Sequence, residues 1–215
     1  MKNTVAKIIL IALLSGCASE RSGFIQELQS YNNSLYRDVM PSVYEIIVNN
    51  GHGTGWSYGD GYIVTNKHVT DSSKESGERI LVRDAYGVIA VAEMIGESSK
   101  YDISVVRLQA IQPVDIPLSK GVAIPGDLVY AFGSPNGLEK SMTSGIVSGP
   151  PRGEFLLHSA GIGPGSSGGP LVNYKGDVVG MNTMVLNSPF GIGMGFAISS
   201  DILEKEIKKI IKEQP

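Results

Sequence analysis

The sequence predicts an all-β protein: two six-stranded antiparallel β-barrels in tandem, finished by a single C-terminal α-helix. Three observations point there. Short runs rich in Val, Ile and aromatic residues recur along the chain, bounded by Gly, Asp, Asn and Pro turn signals. The 27 glycines among 215 residues are spread along the chain, as many tight turns require, and form no low-complexity tract. The runs also fall into two sets of six on either side of residues 112–127, a stretch with three prolines that reads as a connector. A chain of this length can bury an ample core as one domain or two small lobes. Its net charge of −3 is mild and unclustered, so nucleic acid is excluded as a partner.

Residues 1–16 read as a signal peptide. Lys2 and Lys7 flank or precede the apolar run Ile8–Leu14, which is too short to span a bilayer as a finished helix. Leu14-Ser15-Gly16-Cys17 then resembles the lipobox of bacterial lipoproteins, with cleavage before Cys17 and acyl chains on its thiol. An ordinary secretory signal with an incidental cysteine is the alternative. Cys17 is the only cysteine, so the exported part has no internal disulfide and must rely on packing. Residues 17–40 are the lipidated N-terminus and a polar tether, with a short helix around Ile25 to Leu28.

The folded domain spans 41–215. Barrel 1, about 41–111, takes Ser42–Val48, Gly53–Tyr58, Tyr62–Val69, Arg79–Asp84, Val88–Ile95 and Ile103–Leu108, with Gly59-Asp60-Gly61 as a hairpin turn. Barrel 2, about 128–199, takes Leu128–Phe132, Ser141–Ser148, Phe155–Ser159, Leu171–Tyr174, Val178–Val185 and Gly193–Ile198. The helix runs over 200–213. Ser200 is its cap, Asp201 lies in its first turn, and Leu203, Ile207, Ile210 and Ile211 share one face.

Chemistry concentrates in Gly163-Pro164-Gly165-Ser166-Ser167-Gly168-Gly169-Pro170-Leu171. Glycines at this density bring backbone N–H groups close to a bound atom, and a serine among them is either a connector residue or a nucleophile. A nucleophilic hydroxyl needs a base, and the base needs an orienting group. His68 follows the apolar run Tyr62-Ile63-Val64, and Asp102 opens an alternating strand. Singly, these read as a core histidine and a turn residue. His52 reads as a surface residue; His158, nine residues before Ser167, reads as a strand residue without a catalytic role, with a place lining the cleft as the alternative. Three scattered histidines without His-Glu-x-x-His make no metal site, and the glycine loop lacks the Lys-Ser/Thr of a phosphate loop, so no cofactor is expected.

The chain order His68, Asp102, Ser167 is that of chymotrypsin-like serine proteases. More narrowly, the sequence resembles the HtrA/Deg-type proteases, through Val39-Met40-Pro41-Ser42-Val43, Gly53-Thr54-Gly55, Thr65-Asn66-Lys67-His68-Val69, Asp102-Ile103-Ser104-Val105, Thr143-Ser144-Gly145-Ile146-Val147-Ser148, the Ser167 loop and Gly195-Phe196-Ala197-Ile198. These pieces run in family order from about Arg37 to the C-terminal helix. The resemblance implies a trypsin-like fold and a His68–Asp102–Ser167 triad that cleaves unfolded or damaged exported proteins. It also implies an oxyanion hole from the N–H groups of Gly165 and Ser167. The primary pocket would be walled by Gly161, Ile162, Val185 and Leu186 and suit small aliphatic residues. A trimer fits the resemblance without being fixed by it. Lipid on Cys17 would anchor the protein to a membrane, the outer one facing the periplasm in a double-membraned cell.

This sequence departs from the family in three ways. Ser166 stands where asparagine is usual, Gly163-Pro164 replaces a bulkier polar pair, and nothing after the helix leaves room for a PDZ domain. Two other classes stay open: a dormant binding protein of the same fold, and a non-peptidase hydrolase, since Gly165-x-Ser167-x-Gly169 fits a nucleophile elbow.

Overall fold

The computed structural model describes residues 23–49, 51–76, 79–109, 114–134, 140–186 and 193–213. The expected signal peptide and Cys17 lie outside them. The chain divides into two compact units, residues 1–37 and 38–215. Helix α1 covers 23–39, much longer than the short helix expected in a tether. Phe24, Leu28, Tyr31, Leu35 and Val39 recur at helical spacing through its polar sequence, a stripe that the intervening asparagines and serines disguise. A 3₁₀ turn, Met40–Ser42, follows, with Pro41 in the opening position where no N–H is needed.

Among the described residues twelve strands follow, with one helix between them. The first six are β1 (Val43–Val48), β2 (Gly51–Gly59), β3 (Tyr62–Thr65), β4 (Ile80–Arg83), β5 (Ile89–Glu97) and β6 (Ser104–Leu108). They close into an antiparallel barrel in the order β1-β2-β3-β6-β5-β4. Alternation along β1 sends Tyr44, Ile46 and Val48 inward, where they meet Ile63, Val82 and Val106. The expected strand Tyr62–Val69 is corrected: β3 stops at Thr65, and α2 (Lys67–Ser76) begins after Asn66. β-branched Val69 and Thr70 mimic strand continuation, while the helix itself has too few apolar residues to show a period.

The second set is β7 (Leu128–Gly133), β8 (Ser141–Ile146), β9 (Phe155–His158), β10 (Pro170–Val172), β11 (Val178–Leu186) and β12 (Met194–Ser199). They form one sheet in the order β8-β7-β10-β11-β12-β9. Among the described residues, its outer strands meet around a Val147–His158 bridge. Two bonds flank that bridge, Ser148 N–H to Leu157 O (2.7 Å) and Ser159 N–H to Ile146 O (3.0 Å). The second barrel is therefore shut by a short seam, where the first is shut by full ladders.

Two segments hold the barrels in register. The connector's Ile116 N–H bonds Ser57 O of β2, while Val178 N–H bonds Pro117 O, so it is pinned to both. Helix α3 (Ser200–Lys212) buries Leu203, Ile207 and Ile210. It reaches back to barrel 1, where Ser98 Oγ donates to Glu206 Oε2 at 2.6 Å. Its cap is Ser199 and not Ser200: β12 runs directly into the helix, and Ser199 keeps extended backbone and donates to Asp201 Oδ1.

Candidate active site

Helix α2 and the loop before β6 bring His68 and Asp102 together. His68 lies in the first turn of α2, and Thr70 of the same turn donates to Ser104 Oγ of β6 at 3.0 Å. That bond fixes the helix against the strand that Asp102 precedes. Asp102 then takes His68 twice, with Oδ2 2.6 Å from Nδ1 and Oδ1 accepting the backbone N–H at 3.0 Å. The carboxylate hydrogen bond raises the His68 pKa above the ordinary 6.5, against partial burial. Burial works to raise Asp102, but the His68 ring and the backbone N–H groups of His68 and Lys67 overcome it and hold the carboxyl below its usual range. Nδ1 thus carries its proton toward Asp102, leaving Nε2 as the basic nitrogen.

Ser167 follows a tight turn. Ser166 N–H bonds Gly163 O at 2.9 Å, and Gly163 N–H donates to Ser166 Oγ at 3.2 Å, so Ser166 braces the turn with its own side chain. Gly165 sits at φ +93°, and a Cβ there would meet Ser134 O and stand 2.6 Å from His52 Nε2. Its carbonyl points inward and accepts Thr54 Oγ1 at 2.7 Å. Among the described residues neither the Gly165 nor the Ser167 N–H meets a backbone acceptor. Ser167 Oγ donates to Thr183 O at 3.3 Å and makes no hydrogen bond to His68. That contact is long and weak, and such sites tighten only on binding.

Sequence reasoning missed the groups that hold these pieces in place. Thr54 of β2 donates its N–H to Ser167 O at 2.8 Å, and its Oγ1 also accepts Ser134 N–H at 3.2 Å. One buried threonine of barrel 1 therefore grips both ends of the Gly165–Ser167 segment. Asn66 is equally buried. Its Nδ2 donates to Asp102 O at 2.8 Å and to Thr183 Oγ1 at 3.1 Å, tying the aspartate's loop to β11. Both residues lie inside stretches singled out from the sequence, and a polar side chain in a buried strand end was the available signal. His52 is exposed, as expected, but its ring lies against Gly165.

A cavity of about 420 Å³ opens beside Ser167, walled by Ile162, Pro164, Thr183, Met184 and Val185 among others. Gly161 and Leu186 do not line it. Gly161 is turned away, its carbonyl taking Thr143 Oγ1 at 2.7 Å, and Leu186 is half exposed. Val185 and Leu186 are neighbours on one regularly paired stretch of β11, so alternation turns them to opposite faces and only Val185 reaches the wall.

Comparison with known proteins shows what this chain is similar to. The trypsin-like peptidase domain family matches residues 53–181. A probable periplasmic serine endoprotease DegP-like from Buchnera aphidicola is 35% identical over 164 residues, covering 71% of this chain and 34% of the relative. Serine protease HTRA2, mitochondrial, from Bos taurus is 36% identical over 174 residues, covering 75% of this chain and 36% of the relative. The chain thus spans about a third of the length of these curated relatives. Among solved structures, the serine endoprotease from Yersinia pestis superposes with a TM-score of 0.76 at 34% identity, covering 84% of this chain and 66% of that one.

Proposed function

Because the chain belongs to the trypsin-like peptidase family, we propose that it is a serine endopeptidase with His68, Asp102 and Ser167 as its triad. The observation that carries this reading is the 2.6 Å His68–Asp102 pair, together with a serine whose own N–H and that of Gly165 meet no backbone acceptor among the described residues. His68 Nε2 takes the Ser167 proton as Oγ attacks a peptide carbonyl, and Asp102 stabilises the imidazolium that forms. The Gly165 and Ser167 N–H groups receive the developing oxyanion. His68 returns the proton to the leaving amine, and water then hydrolyses the acyl-enzyme by the same route.

The substrate binds as an added strand. β10 pairs with β11 only as far as Met181, so Thr183 onward offers a backbone edge for an extended peptide. An N–H of that peptide takes the Thr183 carbonyl and releases Ser167 Oγ toward His68. Extended binding selects unfolded or loosely folded chains. The wall formed by Ile162 and Val185 carries no carboxylate, so Lys and Arg are disfavoured and small aliphatic residues precede the cut. Export to the periplasm, suggested by the periplasmic relatives, and a lipid anchor on Cys17 complete the reading.

The decisive test is degradation of a denatured protein by the purified chain, with Ser167→Ala alongside and mass spectrometry of the new termini. Degradation that persists in Ser167→Ala sinks the assignment, and cuts clustered after Lys and Arg sink the pocket reading. The contact between Ser167 and Thr183 favours one rival, a dormant site; failure of wild type to react with a serine-directed phosphonate would support it. Lipid labelling that survives Cys17→Ser would remove the anchor.

A further inference from the structure

The apolar stripe of α1 has two fates. Phe24, Leu28, Tyr31, Leu35 and Val39 follow one another at helical spacing. Leu35 and Val39, in the second half, are buried. Phe24 and Leu28, in the first half, are 67% and 45% exposed, and Ile25 beside them is 63% exposed. Three large apolar side chains within two turns thus form one bare patch, and such patches mark interaction sites. The rest of the helix adds little charge: Glu27 is the one charged residue between 23 and 36. An apolar face on a helix that is otherwise polar and nearly uncharged suits the headgroup boundary of a bilayer, where buried apolar area supplies the binding.

The chain before the helix says what covers the patch. Phe24 lies seven residues after Cys17. Even fully extended, seven residues span no more than about 25 Å. Acyl chains on Cys17 hold the patch within that distance of the bilayer. A second contact made by a chain already tethered is intramolecular, so a weak one suffices. No described helix is long and apolar enough to cross a membrane, so α1 meets the bilayer at its surface.

We propose that the first two turns of α1 are a membrane-contact surface, with Phe24, Ile25 and Leu28 entering the headgroup boundary of the bilayer that receives the lipid on Cys17. This rests on the lipid-anchor reading above and adds a second, non-covalent point of attachment. The acyl chains hold the protein to the bilayer, and the helix contact sets how α1 is turned toward it. The contact is apolar, so it requires neither anionic lipid nor low salt.

The lipid-bearing full chain tests this in phosphatidylethanolamine–phosphatidylcholine vesicles that contain nitroxide-labelled lipid. Mass spectrometry first establishes the acyl chains. These occupy the Cys17 thiol, so the cysteine introduced by Leu28→Cys or Ser30→Cys is the only one free to take a fluorophore. Ser30 is also exposed and lies on the opposite face of α1. The fluorophore at 28 should be quenched at least about twofold more than the one at 30, with or without added phosphatidylglycerol and salt. Phe24→Cys should behave as Leu28→Cys does, so the result does not hang on one substitution. Equal quenching at 28 and 30 overturns the inference, and so does quenching that needs phosphatidylglycerol. A second copy of the chain is the rival occupant. With Cys17→Ser and no vesicles, the fluorophore at 28 should report water; a shielded one in a concentration-dependent oligomer overturns the membrane assignment. A chain without acyl groups refutes the anchor reading itself, and the contact falls with it.

Discussion

The two barrels divide the labour unequally. Barrel 1 is shut by continuous ladders, and it holds His68 and Asp102 already paired at 2.6 Å. Barrel 2 is shut by a seam around one bridge, and its serine points at a carbonyl of its own sheet. The proposed base and its orienter are already paired, whereas the proposed nucleophile is held by struts from the other barrel. The lesson is that the chemical half of the site on barrel 2 is shaped by barrel 1, through Thr54 and Asn66.

The largest expected effects remove the chemistry from either side. Ser167→Ala and His68→Ala should each lower kcat by about 10⁴ to 10⁶, measured on an unfolded substrate. Asp102→Asn should lower it by about 10⁴ through the wrong histidine tautomer, with an unchanged circular dichroism spectrum. Near-wild-type turnover in any of the three would break the comparison at its root.

A smaller effect probes the struts themselves. Thr54→Val keeps the shape of the strand but strips the group that holds Gly165 O and Ser134 N–H. Turnover should fall by about 10² to 10³ as the oxyanion donors drift. Stability should fall by about 1–3 kcal/mol for the unpaired buried groups. Thr54→Ser should restore most of both; a Thr54→Val enzyme with full kcat would show that barrel 2 shapes its own loop. Asn66→Ala should cost less, about ten- to a hundredfold in turnover, because Asp102 keeps both bonds to His68.

The smallest effect is a displaced pH profile. The proposed mechanism needs neutral His68, and its pKa is raised above 6.5, so kcat/KM should fall with acidification at a higher pH than an unpaired histidine would give. Asp102→Asn should move that limb to lower pH. Linkage runs the other way for stability. The raised His68 value contributes fully below about 6.5 and is lost as pH rises through the folded value, while the lowered Asp102 value contributes above 3.8 and is lost as pH falls through its own. An acidic limb that Asp102→Asn leaves in place would detach it from the His68–Asp102 pair.

Much of the molecule was legible without coordinates because it is written in short range. Turn residues between β-branched runs announced two sets of six strands. Leu203, Ile207 and Ile210 announced α3 by their spacing alone. His68, Asp102 and Ser167 stood out because each sits in a distinctive local stretch. Errors came where local signals were weak or mixed: α2 has almost no apolar face, and α1 hides its stripe among polar residues.

Tertiary structure alone decided what depends on distant partners. Residue 54 meets residue 165, and residue 66 meets residue 183, only because two barrels are pressed together by a connector and a returning helix. The register shift in β11 that puts Met184 on the pocket wall arises from its pairing with β12, and no pattern within the strand encodes it. His158 is fully buried on β9, which its neighbours in sequence do not announce, because burial is a property of its surroundings. Spacing along a chain fixes which face a side chain takes, but what waits on that face is set by segments far away in sequence.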